Sequence, residues 1–162
     1  MKLVSSVALA FALSACATIP PADIIPAADP TSAKQIGRTK ILDAAMAERL
    51  RGNSGITLQW IGWDERGNAN VATGDNGTWV LRAVQEDESR NAMLVLNGEI
   101  TEIGSDYFLF DGTVTIRNAP DAGRLCTQDK IWRFGITQSR QYWRLREFEW
   151  CDGLTDYIDI YF

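Results

Sequence analysis

Tyr142, Arg144 and Arg146 alternate along one stretch near the C-terminus, and Tyr157, Asp159 and Tyr161 along the next. Alternation puts each set on one face of a strand. If the two strands are antiparallel neighbours, two guanidinium groups, a carboxylate and several rings share one surface. Guanidinium groups beside aromatic rings can clamp a carboxylate, a sugar acid or a phosphate through paired hydrogen bonds. The same residues also serve a purely structural role, in which Arg144 and Arg146 pair across strands with Asp159 or Glu147 and lay their stems over Tyr157 and Tyr161. Exposed pairs of this kind contribute only ~0–1 kcal/mol each, so they need no ligand to account for them.

Carboxylates are dense in the same region: Glu147, Glu149, Asp152, Asp156 and Asp159. Two of them held about 5 to 9 Å apart could hydrolyse a glycosidic bond, although solvated loops explain the same charges in an acidic protein. Other chemistries are excluded by composition. The chain has no histidine, which removes Ser-His-Asp and Cys-His catalysis and His-ligated zinc. A net charge of -5 and a pI of about 4.7 disfavour nucleic-acid binding, which needs phosphate neutralisation. The glycine-bearing Ala72–Gly77 segment lacks the Lys-Ser/Thr of a phosphate loop and precedes a strand. No cofactor and no metal is expected.

Cys126 and Cys151 form the simplest disulfide in an oxidising compartment, tying the 119–128 loop to the loop before the last strand. They lack the close CxxC spacing of redox and zinc sites. Of six tryptophans, Trp60, Trp79, Trp132 and Trp143 sit on alternating segments and are assigned to the core, where each would bury about 150–250 Å². Trp63 and Trp150 fall at strand ends or loops and are assigned to edge packing, with the mouth of a ligand site as the other option.

The elements that must position these groups are mostly strands. From Ser32 to Leu50 helix formers dominate, with Ile41, Leu42, Ala45, Met46 and Ala47 at helical spacing and Gly52 as a stop. After Gly55 the period becomes two, as in Ile56-Leu58-Trp60, Trp79-Leu81-Ala83 and Trp132-Phe134-Ile136. Turn residues separate these runs, among them Gly74–Gly77, Asn97-Gly98, Gly104–Asp106 and Asp111-Gly112. The expected fold is mainly β: a small antiparallel barrel or sandwich of about eight strands with one N-terminal helix, over residues 34–162.

Ahead of this domain, Lys2 precedes an apolar run from Leu3 to Leu13, too short to span a ~30 Å hydrocarbon core. The run ends in Leu13-Ser14-Ala15-Cys16, which resembles the lipobox of bacterial lipoproteins. The resemblance implies removal of residues 1–15, diacylation of the Cys16 thiol and acylation of its new amino group. A chain carrying two or more acyl groups stays on a bilayer where one would not. Ala17, where an aspartate would stand for inner-membrane retention in the sorting pattern of such lipoproteins, implies the outer membrane facing the periplasm. Pro20, Pro21, Pro26 and Pro30 make residues 16–33 a semi-rigid spacer of about 3.1 Å per residue.

The Gly55-Ile56-Thr57 and Trp60 string resembles the opening strand of lipocalin and avidin-like barrels. The expected function is that of a non-enzymatic envelope lipoprotein, held to the membrane by its lipid, whose β-domain binds a partner protein or small ligand. Alternatives are an inhibitor of a lysozyme-like hydrolase and a carboxylate-based glycan hydrolase.

Overall fold

The computed structural model describes residues 37–162. The leader, Cys16 and the spacer lie outside the described residues. In chain order the elements are β1 (Lys40–Ile41), α1 (Ala44–Arg51), β2 (Ile56–Leu58), β3 (Asn68–Thr73), β4 (Trp79–Asp87), β5 (Ala92–Ile103), β6 (Tyr107–Arg117), β7 (Leu125–Gly135), β8 (Tyr142–Leu145) and β9 (Ile158–Tyr161). Strands β2 to β9 form one antiparallel sheet in the order β2-β9-β8-β7-β6-β5-β4-β3, and β1 adds to β5 in parallel.

The sheet curls until its two ends nearly meet. Ile56 and Gly67 exchange backbone bonds across the gap, at 3.1 and 2.8 Å, so the protein is a nearly closed eight-stranded barrel. Gly67 is required there because a Cβ would stand 2.1 Å from the Val84 carbonyl oxygen. Beside it, the buried Gln85 side chain accepts from the Leu58 N–H at 2.6 Å and donates to the carbonyls of Gly62 and Glu65 at 2.9 and 2.8 Å. One amide thereby fastens β2 and the 59–66 loop to β4.

The helix is shorter than its composition suggested, and it is not the first element described. Asp43 caps it by accepting from Met46 N at 3.0 Å, and Gly52 closes it by donating to Glu48 O. Upstream, residues 40–41 pair with Glu102–Ile103 instead, which leaves Ile41 and Leu42 outside the apolar stripe and exposed. Met46, Ala47 and Leu50 carry the buried face.

Asn97-Gly98 and Asp111-Gly112 are not turns. They face each other in mid-strand on β5 and β6, Gly98 opposite Gly112. A Cβ on either would lie 2.8 Å from the Phe110 ring, so the pair is there for its small size. This lets Trp132 donate its Nε1 to the Gly112 carbonyl at 2.8 Å.

The inward positions of the strands fill the barrel. Leu81, Leu94, Phe110, Trp132, Phe134 and Trp143 are all fully buried, with Phe108 stacked on Phe134 at 4.9 Å. Trp79 joins this core as expected. Trp60 packs against it only from the rim: it lies beyond β2, half-buried, with Nε1 donating to Asp156 at 2.9 Å. Trp150 is buried against Trp132, edge to face at 5.3 Å. The Cys126–Cys151 disulfide is formed, with Cys126 inside β7 rather than in the preceding loop. Closing a segment of 25 residues contributes about 3–4 kcal/mol on the chain-entropy account.

If the barrel seam depends on Gln85, Gln85→Ala leaves an N–H and two carbonyls without their partner. It should cost about 2–4 kcal/mol in denaturant unfolding, with hydrogen exchange accelerating first at Leu58.

Candidate functional site

Strands β8 and β9 pair as antiparallel neighbours, Tyr142 opposite Tyr161 and Arg144 opposite Asp159. Their inward faces carry Trp143, Leu145, Ile158 and Ile160, all fully buried. Their outward faces therefore hold the polar and tyrosine residues together on the outside of the barrel. Arg144 donates from Nε and one Nη to the two Asp159 oxygens, each at 2.7 Å. Around this pair the Arg144 guanidinium lies 4.2 Å from the Tyr157 ring centre, 5.1 Å from Tyr142 and 5.7 Å from Trp63.

Trp63, Tyr142, Arg144, Asp159 and Tyr161 line an open basin of about 290 Å³. Tyr142 and Tyr161 are 5.3 Å apart and tilted by 58°. Tyr161 shares a hydrogen bond with Thr57 at 3.2 Å, and Arg66 covers its ring at 3.9 Å. Trp63, from the loop between β2 and β3, is 43% exposed and forms the open wall. Its place in the basin could not be read from the sequence, because it comes from a loop with no periodicity and its position depends on Gln85.

Asp159 is 1% exposed, and burial holds its carboxyl above the ordinary range against the opposing pull of Arg144. Burial likewise pushes the Tyr161 phenol up. The bidentate face of Arg144 is thus already engaged, in agreement with its cross-strand structural role, and only its remaining Nη is left to meet a ligand.

Arg146 is not part of the basin. It is exposed, with its guanidinium 5.0 Å from the Phe148 ring centre, and it pairs with neither Asp159 nor Glu147. Glu147 instead pairs with Lys130. The carboxylates expected to cooperate in hydrolysis are held by different cations: Glu147 by Lys130, Asp159 by Arg144, and Asp156 by Arg124 at 2.9 Å. Arg124 also grips Asp152, lowering that carboxyl to about 2, and Trp60 completes the shell of the fully buried Asp156. This network, next to the disulfide, fixes the 146–157 loop. Cys126, Cys151 and Asp152 cluster, but their sulfurs are joined to each other.

On the other side of the 59–66 loop lies a groove of about 670 Å³ lined by Asp64, Glu65, Glu86, Asp87 and Glu88. No helix among the described residues is long and apolar enough to cross a membrane.

Fold and basin together define a small, filled antiparallel barrel whose clustered aromatic and charged side chains lie on its outer surface. The chain belongs to the PM1083 family, whose model matches residues 38–162. A relative from Pasteurella multocida (strain Pm70), the uncharacterised protein PM1083, is 37% identical over 116 residues, spanning 70% of this chain and 74% of the relative. No solved structure matches.

Removing the cation beneath the basin leaves a buried carboxylate alone. Arg144→Met should cost about 3 kcal/mol or more at neutral pH. Because Asp159 then titrates still higher, protonation on acidification relieves the penalty, and the gap to wild type should narrow as pH falls in urea unfolding.

Proposed function

We propose that this chain is a lipid-anchored, non-enzymatic binding protein of the bacterial envelope that recognises its ligand through the outward basin around Arg144. The exposed Trp63 wall over an otherwise satisfied Arg144–Asp159 pair carries this reading, because packing alone gives no reason to leave a tryptophan open to solvent there. Three other features support it. The lipobox-like Leu13-Ser14-Ala15-Cys16 supplies a membrane attachment, the disulfide suits an oxidising compartment, and the filled lumen directs recognition to the outer surface.

Two measurements test this reading. In cell fractionation with a high-salt wash, which strips charge-based peripheral contacts but not a lipid anchor, Cys16→Ser should move the protein from the membrane to the soluble fraction. That soluble form should co-sediment with isolated envelope material, and adding Trp63→Ala with Tyr142→Ala should reduce the bound fraction about tenfold, a loss of about 1.4 kcal/mol. Co-sedimentation indifferent to the basin residues would defeat the proposal.

The acidic groove favours a second reading, inhibition of a basic lysozyme-like hydrolase, since opposite charge speeds and orients association. Micromolar protein should then slow lysozyme on cell-wall substrate, and Glu86→Lys with Glu88→Lys should reduce the association rate about tenfold at low salt. Unchanged lysozyme activity would remove this reading.

A further inference from the structure

The cations around the basin outnumber its carboxylate. Arg144 leaves Nη1 without an acceptor among the described residues, because its bonds to Asp159 use Nε and Nη2. Arg66, stacked on Tyr161, makes one bond, from Nη1 to Ser54 Oγ at 2.6 Å. Arg140 stands 5.7 Å from the Tyr142 ring centre and makes one side-chain bond, from Nη2 to Gln138 at 2.7 Å. Arg144 thus holds the basin's one lining carboxylate while Arg66 and Arg140 stand beside the rings of Tyr161 and Tyr142, on a chain whose net charge is -5. A local positive excess on an acidic protein concentrates anions, and the free guanidinium N–H groups are suited to carboxylate oxygens.

The rings narrow the choice of anion. A small inorganic ion would engage the guanidiniums and leave Trp63 and Tyr142 unused. Tyr142 and Tyr161, 5.3 Å apart and tilted by 58°, open no slot to sandwich a planar base between them. A puckered sugar ring offers its C–H faces to angled aromatic walls, and a hydroxyl can pair with the phenol of Tyr142, which lines the basin and holds no hydrogen bond among the described residues. The basin volume, about 290 Å³, lies just below the ligand-site range of about 300–1,000 Å³, as suits one sugar ring.

We propose that the basin binds an acidic saccharide, a pyranose whose apolar face rests on Trp63 and Tyr142 and whose carboxylate is held by Arg140 and the free Nη of Arg144. This rests on the reading of the basin as the recognition site. The test is a ¹⁵N NMR titration of the soluble full-chain Cys16→Ser protein with a galacturonic acid trisaccharide, the neutral galactose trisaccharide and inorganic phosphate.

The uronate should shift the Trp63 indole N–H and the Arg144 Nε–H saturably, and the neutral sugar should bind at least tenfold more weakly. Arg140→Gln should weaken uronate binding severalfold and Trp63→Ala about tenfold, with the rest of the spectrum unchanged. Three results would overturn the proposal: equal binding of the neutral sugar, phosphate binding as tight as the uronate with Trp63→Ala silent, or no shift with any probe at about 10 mM, a ceiling that still detects millimolar affinity. If no probe shifts the spectrum while Trp63-dependent envelope co-sedimentation persists, the ligand class is wrong and the recognition site stands. If co-sedimentation is also independent of Trp63, both fail.

Discussion

An eight-stranded sheet that curls around a packed interior must bring two unlike strands together at its ends, and in this protein a single side-chain amide reinforces the backbone pair of Ile56 and Gly67 that joins them. Gln85 reaches from β4 to Leu58 on β2 and to the carbonyls of Gly62 and Glu65, while Gly67 lets the backbones approach. Arg90 adds bonds to the carbonyls of Trp60 and Ile61, at 3.0 and 3.1 Å. Residues 60–65 are therefore held at both ends, and Trp63 projects from between them. The bonds that close the barrel thus also place the open wall of the basin, which links fold stability directly to the basin's shape.

Buried charge is handled differently in two places. Around Asp156, Arg124 and Trp60 satisfy the carboxylate completely and Asp152 shares the cation, which fixes a loop already tethered by the disulfide. Around Asp159 the arrangement is equally tight on one side and open on the other. A buried ion pair is weak grounds for stability by itself, because desolvation offsets much of the attraction. What distinguishes the Arg144 pair is its setting: rings crowd the guanidinium while one of its nitrogens still faces the basin.

Period-two patterning was enough to read a mainly β, antiparallel chain, and the Arg144–Asp159 apposition followed from alternation plus an antiparallel pairing. The disulfide was legible because only two cysteines follow Cys16. Other features were not legible, for specific physical reasons. Gly98 and Gly112 have the sequence of turns, yet what is used is their lack of a side chain beneath Phe110, a contact set by cross-strand register. The helix stretch was overestimated because its apolar residues Ile41 and Leu42 lie upstream of Asp43, where pairing of residues 40–41 with β5 takes precedence over propensity. Arg146 keeps the alternation of Arg144, but β8 ends at Leu145, and beyond that point alternation no longer predicts direction. Trp63 and Arg66 come from a loop, where no spacing rule brings them to Tyr161.

The filled interior also bears on where selectivity can arise. Hollow barrels choose ligands by the size of a cavity, but here Phe110, Trp132, Phe134 and Trp143 occupy that space. On the proposed reading, selectivity comes from the pattern of charge and rings on the outside. The 59–66 loop divides two such patterns, acidic residues on the β4 side and an arginine-rich aromatic basin on the β8–β9 side. An anion approaching the protein is repelled by the first and drawn to the second. A chain that is acidic as a whole can in this way direct an acidic ligand to one place on its surface without enclosing it.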